Sequence, residues 1–251
     1  MDPRVVVVVP CHRDPVDAVA ASLASALAIP DLRVVVVDDG ADRADLDALS
    51  DDRVRILHRR ENGGPSAALE DGIASTAPGS VICRLDVRDE FYPEAKARQI
   101  ETVLRGVQAS CSPHFDPMLG RSHELPSNWR QHIYTDSCFT TVTAVYQRSV
   151  WERVGMDTSL RWAEDWRWAL LVEHTIGWDV FPEVTCSAGM YPGGHTDVTG
   201  DQRKREARDR DVAQVLELAR ALANPDMYAH LYSEQWCAKR GKTPLPRRTK
   251  R

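Results

Sequence analysis

Two uninterrupted valine runs, Val5–Val9 and Val34–Val37, constrain this chain more than any other feature of its sequence. A strand with no polar residue on either face leaves no side for water. Such strands belong to mostly parallel sheets covered by helices on both faces. The neighbouring segments fit that picture. Asp14-Pro15 offers an N-cap and a first-turn proline, after which Val16, Val19, Leu23 and Leu27 recur at helical spacing. Leu32 to Val37 predicts a second strand ending in Asp38-Asp39-Gly40, followed by a short helix through Leu46 and Leu49. Val54 to His58 is a third strand, and Gly63-Gly64-Pro65 opens a helix running to about Ser75. Val81 to Leu85 makes a fourth strand that ends at Asp86, and Pro93 to Leu104 the next helix. Alternation of this kind defines the α/β class.

Periodicity loosens between Ser112 and Asp136, a stretch holding Pro113, Pro117, Gly120, Pro126, Trp129, His114, His123 and His132. Connections this long are more often functional than idle. The three histidines are spaced too widely for a zinc site and are read as loop residues facing an acceptor. Phe139 to Tyr146 is strand-like, Arg148 to Val154 a short helix, and a further helix starts near Glu164. Trp162 and Trp166 stand four residues apart, as core packing requires, with Trp168 nearby. After Val180 to Met190 the chain turns at Pro192-Gly193-Gly194, and Asp201 to Ala223 is an amphipathic helix. With no repeat and no Ser/Gly linker, one domain over residues 1–238 is expected. Lys239 to Arg251 forms a tail with seven basic residues and no acidic one. The formal charge of −5 therefore hides −12 over the remainder. The tail reads as a solvated segment or as a basic arm for phosphate.

No apolar run approaches the roughly 20 residues of a spanning helix, and the first residues lack signal-peptide character. A cytoplasmic location is expected. The cysteines (Cys11, Cys83, Cys111, Cys138, Cys186, Cys237) form no C-x-x-C pair, which argues for buried thiols over zinc or disulfides.

In open α/β sheets ligands bind beyond the carboxyl ends of the strands. Those ends carry Pro10-Cys11-His12-Arg13, Asp38-Asp39, Arg59 to Gly64, and Asp86 to Asp89. G-x-G-x-x-G after the first strand is absent, and so is the P-loop signature, which removes two large nucleotide-binding classes. A rim rich in carboxylates suits a bound cation, or hydrogen bonds to a base and ribose. Asp38-Asp39 could equally cap the helix that follows, and Glu164-Asp165 could be a first-turn charge pair.

Val5 to His12, Val34 to Gly40, Asn62 to Ala68, Leu85 to Asp89 with Pro93, Arg148 to Gly155, and Glu164-Asp165 together resemble glycosyltransferase family 2, in order and spacing, over roughly residues 4–200. The resemblance implies a GT-A fold, with a mixed, mostly parallel sheet, and inverting transfer from a nucleoside-diphosphate sugar, UDP-linked by expectation. It implies that Pro10, Cys11 and His12 line the nucleoside pocket and that Asp38 or Asp39 contacts the base or ribose. Asn62, Gly64 and Ser66 would lie against the nucleotide. Asp86 begins the D-x-D element for Mn²⁺ or Mg²⁺ and the sugar phosphate. In Glu164-Asp165 the aspartate serves as catalytic base, and His195 reaches the diphosphate or metal. These roles suit the chemistry: a leaving diphosphate needs positive charge, and the attacking hydroxyl needs a carboxylate to take its proton.

One departure from the family pattern stands out. Where D-x-D-D is common, this chain has Asp86-Val87-Arg88-Asp89. Three roles for Arg88 are compatible with the sequence: bystander to a metal held by Asp86, Asp89 and His195; a guanidinium clamp on the diphosphate; or a residue facing solvent or Asp89. The second makes metal dependence weaker than the family norm. The acceptor is not legible, and saccharide, lipid, small molecule and modified nucleic acid all remain open. The rival readings are a sugar-phosphate nucleotidyltransferase and an inactive nucleotide-sugar-binding module.

Overall fold

A computed structural model describes residues 4–49, 51–125, 128–134, 141–189 and 201–223. Alternate valines of the two runs face opposite layers, which is why neither run needs a polar residue. The first run lies in β1 (Val5–Cys11), which is followed by α1 (Val16–Leu27), and the second lies in β2 (Arg33–Asp38). Val5, Val7, Val9, Val34 and Val36 pack on one side of the sheet with Val19, Leu23 and Ala26 of α1. Val6, Val8, Val35 and Val37 pack on the other with Ala68, Leu69 and Ile73 of a helix described below. All nine valines are at most 7% exposed. At about 1.5–3 kcal/mol for each fully buried side chain, this sheet centre is a substantial apolar contribution to folding.

The chain continues through a 3-10 turn (Ala44–Ala48), β3 (Val54–His58), α2 (Pro65–Ala74), β4 (Val81–Arg84), β5 (Glu90–Phe91) and α3 (Pro93–Leu104). Next come β6 (Ala109–Cys111), β7 (His114–Asp116), β8 (Arg121–His123) and α4 (Trp129–His132). A 3-10 turn (Thr141–Thr143) then leads to β9 (Val145–Gln147), α5 (Arg148–Val154) and α6 (Glu164–Thr175). The last described elements are β10 (Asp179–Val180), β11 (Cys186–Ser187) and α7 (Gln202–Leu222).

The main sheet runs β10-β6-β9-β4-β1-β2-β3. β9 lies antiparallel to both its neighbours, and the other pairings are parallel. After β1 the chain steps to β2 and β3, then returns through α2 to β4 on the other side of β1. That reversal opens a crevice at the carboxyl ends of β1 and β4.

Several expectations need correction. Asp14 does not cap α1: Pro15 holds the N-cap position, and the Asp14 carboxylate accepts from His12 N at 3.2 Å. The Ser112–Asp136 stretch is not an open loop. The β7–β8 hairpin within it joins β5 and β11 in a second sheet, ordered β5-β11-β7-β8. Three-residue strands are too short to show alternation, so their pairing could not be read from periodicity. His114 and His123 stack within that hairpin at 4.9 Å between ring centroids. The strand-like Phe139–Tyr146 yields only β9 and the preceding turn, with residues 135–140 outside the described set. His195, Cys138, Cys237, the Pro192-Gly193-Gly194 turn and the basic tail also lie outside it. Cys11, Cys83, Cys111 and Cys186 are buried, and Trp162, Trp166 and Trp168 are core residues. Among the described residues no helix is long and apolar enough to cross a membrane.

Candidate active site

The carboxyl ends of β1 and β2 are tied together by one backbone bond and one from a histidine ring. Asp39 N donates to Cys11 O at 2.7 Å, and His12 Nδ1 meets Asp39 O at 2.8 Å. Burial and the nearby Asp38 carboxylate push the Cys11 thiol up to about 12, so it is an unreactive wall. Asp38 is fully buried and accepts from Ala41 N and Arg43 N at 3.0 Å, with His58 Nδ1 at the same distance. Burial would raise this carboxyl, but those bonds outweigh it and hold Asp38 below the usual carboxylate range. Its role here is to cap the turn after β2.

Asp39, 4% exposed, holds the loop after β3: its oxygens accept from Gly63 N at 2.9 Å and Gly64 N at 2.7 Å, and it pairs with Arg59. Gly64 (φ 86°) is the N-cap of α2, with Pro65 in the first turn. Gly40 (φ 69°) allows the β2 loop to reach the backbone of Glu61 and Asn62, where a Cβ would collide with main-chain atoms. Gly40→Ala is expected to lose about 2–3 kcal/mol, since neither the dihedral nor the backbone contact can relax cheaply. A shift in urea midpoint at unchanged slope would register it.

At the end of β4 the D-x-D segment is organised by a residue that the motif reading overlooked. Arg84 forks onto Asp86, Nε to Oδ1 and Nη2 to Oδ2, each at 2.8 Å. Burial alone would lower its pKa, but Asp86, Asp165 and Glu164 hold the guanidinium above even its usual range. A charged residue on a strand buried on both faces requires partners, and this was the available sequence signal. Arg88 adopts φ 78°, with its N–H bonded to Ser22 Oγ at 2.9 Å, and so turns the chain back toward Asp89. Asp89 is 5% exposed, and burial, then Asp86, pushes its carboxyl up to about 8.

Glu164 and Asp165 begin α6 after Ala163, which sits in the left-handed region (φ 56°). Asp165 accepts from Trp166 N at 2.7 Å and from Thr141 Oγ1 at 3.2 Å, so its carboxylate is aimed by both helix and turn. The loop before it is anchored at both ends. Arg161 N and Trp162 N donate to Asp211 of α7 at 3.0 and 3.1 Å, and Arg161 Nη1 reaches Asn62 Oδ1 at 3.1 Å. Ser66, Arg84, Thr141, Glu164 and Asp165 line one pocket. Asp39, the Asn62–Ser66 turn, Arg84 with Asp86, and the α6 acids therefore occupy one rim. The Ser66 side chain is 2% exposed and faces the interior of that pocket, not an open nucleotide surface.

Burial, then Asp165, pushes the Glu164 carboxyl up to about 8. A folded-state value above the unfolded one contributes stability at low pH that is lost as pH climbs from about 4.5 through 8. Glu164→Gln removes this dependence. Its melting temperature relative to wild type should therefore rise between pH 5.5 and pH 8.5, and a difference that stays constant would contradict the burial argument.

A divalent cation does not fit the described residues as they stand. Both Asp86 oxygens face Arg84, the Asp89 carboxyl is pushed toward its neutral form, and no group of three or more metal-ligating side chains occurs among the described residues. His195, the third expected ligand, is outside that set.

Residues 6–150, more than half of the chain, match the family described as Glycosyl transferase family 2. The chain belongs to that family. A curated relative, "Succinoglycan biosynthesis protein ExoU" of Rhizobium meliloti (strain 1021), is 38% identical over 98 residues, covering 36% of this chain and 28% of the relative. The chain thus spans less than a third of that relative's length. The family 2 chain is also similar to the crystal structure of S. aureus TarS 1-349, with a TM-score of 0.64 at 14% identity over 91% of this chain and 69% of that one. It is similar to the mannosyltransferase PcManGT of Pyrobaculum calidifontis, solved with GDP-Man and Mn²⁺, with a TM-score of 0.64 at 18% identity over 92% and 71%. Likeness at these identities speaks for the fold, which is GT-A.

Proposed function

We propose that this chain transfers a sugar from a nucleoside-diphosphate donor, UDP-linked, to an acceptor hydroxyl with inversion, using Asp165 as general base. The observation that carries the reading is that two partly exposed carboxylates, Asp86 and Asp165, flank one guanidinium: Arg84 forks onto Asp86 and feels the charge of Asp165 at the start of α6. A carboxylate oriented by Thr141 beside a fixed guanidinium brings a proton acceptor and positive charge together, which are the two needs of the reaction. Arg84 holds a fixed guanidinium at the segment after β4, and on this reading metal dependence is weaker than in relatives that hold a cation. The buried thiols of Cys11, Cys83 and Cys186 suit a reducing, cytoplasmic setting. Nucleotide sugars bind related folds, as the TarS complex with UDP-GlcNAc and the PcManGT complex with GDP-Man illustrate.

The test is a thermal-shift screen of UDP- and GDP-sugars with and without Mn²⁺, followed by donor-hydrolysis and transfer assays. A ligand that binds only the folded chain raises its melting temperature, by RT ln(1 + [L]/Kd) in free energy. A donor-specific shift with transfer that survives chelation is the expected result. No shift with any nucleotide sugar, or pyrophosphate release from a nucleoside triphosphate and a sugar phosphate, would overturn the reading. Full loss of turnover in chelator with full recovery in Mn²⁺ would overturn its metal part alone.

A further inference from the structure

Beneath Asp165 the pocket between α2, β4 and α6 encloses a cavity of about 10 Å³. About 10–15 Å³ is the least that holds one water, and no sugar hydroxymethyl or larger group enters such a space. Two side chains of its lining are distinctive. Ser66 on α2 is 2% exposed and Trp168 on α6 is 3% exposed. Neither Ser66 Oγ nor Trp168 Nε1 has a hydrogen-bond partner among the described residues. Buried polar groups are rarely left so, because each has lost its hydration without replacement. Here two of them, from different helices, share one small cavity with Glu164, itself 7% exposed.

We propose that this cavity is a built site for a single ordered water that joins α2 to α6. Trp168 Nε1 can only donate, so the water oxygen accepts from it. Its two protons and remaining lone pair serve Ser66 Oγ, which works in either direction, and the Glu164 carboxyl, which accepts when ionised. Three polar partners are the usual complement of a buried water. The consequence is positional: α2 begins at the Gly63-Gly64 turn held by Asp39, and α6 begins at Glu164-Asp165, so one bridging oxygen fixes the spacing between them. The role of that spacing in turnover rests on the proposed function, whereas the water site itself does not.

The experiment therefore has two arms that do not need activity. A crystal structure at a resolution showing buried waters should place one within hydrogen-bond reach of both Ser66 Oγ and Trp168 Nε1. Thermal unfolding of Ser66→Ala, Trp168→Phe and the double variant supplies the second arm. With a bridging water, Ser66→Ala lowers the melting temperature in the wild-type background and has little further effect beside Trp168→Phe, since both changes break the same bridge. A dry cavity predicts the opposite sign, because removing an unsatisfied hydroxyl relieves the fold. No water in the map, or a melting temperature unchanged or raised by Ser66→Ala, overturns the proposal. Should Trp168→Phe fail to fold, the map and the sign for Ser66→Ala decide.

Discussion

Asp165→Asn should reduce kcat by about 10²–10⁴-fold while leaving the donor dissociation constant within about twofold. The amide keeps the shape of the carboxylate: its carbonyl oxygen takes the place of Oδ1 in accepting from Trp166 N, and its NH2, in the place of Oδ2, donates to Thr141 Oγ1, which works in either direction. What it loses is the capacity to take a proton from the attacking alcohol. Chemistry therefore falls while ground-state binding stays, which is the signature of an interaction made only in the transition state. Thr141→Val should give a smaller loss in kcat, since it removes orientation without removing the base. If Asp165→Asn raised KM and left kcat intact, the base would have to be sought elsewhere on the rim.

Arg84→Met is the second large effect, and it acts on folding and chemistry together. Methionine fills much of the space but leaves Asp86 without its fork, beside Glu164 and Asp165 with no fixed countercharge. Breaking a buried pair from one side costs about 3–5 kcal/mol, and the lower end applies because Asp86 is 31% exposed. For a chain of this size about 3 kcal/mol corresponds to a fall of about 6–12 °C in melting temperature. Arg84→Lys should recover only part of it, because an ammonium cannot fork onto both oxygens. The loss should shrink from pH 8 to pH 5, where the Glu164 carboxyl, pushed up to about 8, is neutral and no longer needs the cation. Equal losses at pH 5 and pH 8 would show that packing, not charge, is what Arg84 contributes.

Arg84 also marks where motif reading ended. The signature drew attention to Asp86, Arg88 and Asp89 because they occupy the D-x-D positions, while the residue two before Asp86 passed as part of a strand. Asp38 and Asp39 show the converse. Their place at the strand end was plain from the sequence, but their hydrogen bonds reach Ala41, Arg43, His58, Gly63 and Gly64. Both therefore brace the protein's own loops, and a base or ribose can use only the lone pairs left over. Ser66 stood in the right turn, yet its side chain faces inward.

By itself the sequence determined the layered α/β plan. Nine consecutive-run valines admit one arrangement, a strand pair covered on both faces, and local spacing of apolar residues, prolines and glycines then set most helix limits to within a residue or two. Only the tertiary structure decided which charges meet. The bonds from Arg161 to Asn62, from Arg161 and Trp162 to Asp211, and from Thr141 to Asp165 join residues 24 to 99 positions apart. Periodicity carries information over one or two turns of chain, whereas ion pairing depends on distance in space, so the electrostatics of the rim became readable only once the strands had brought it together.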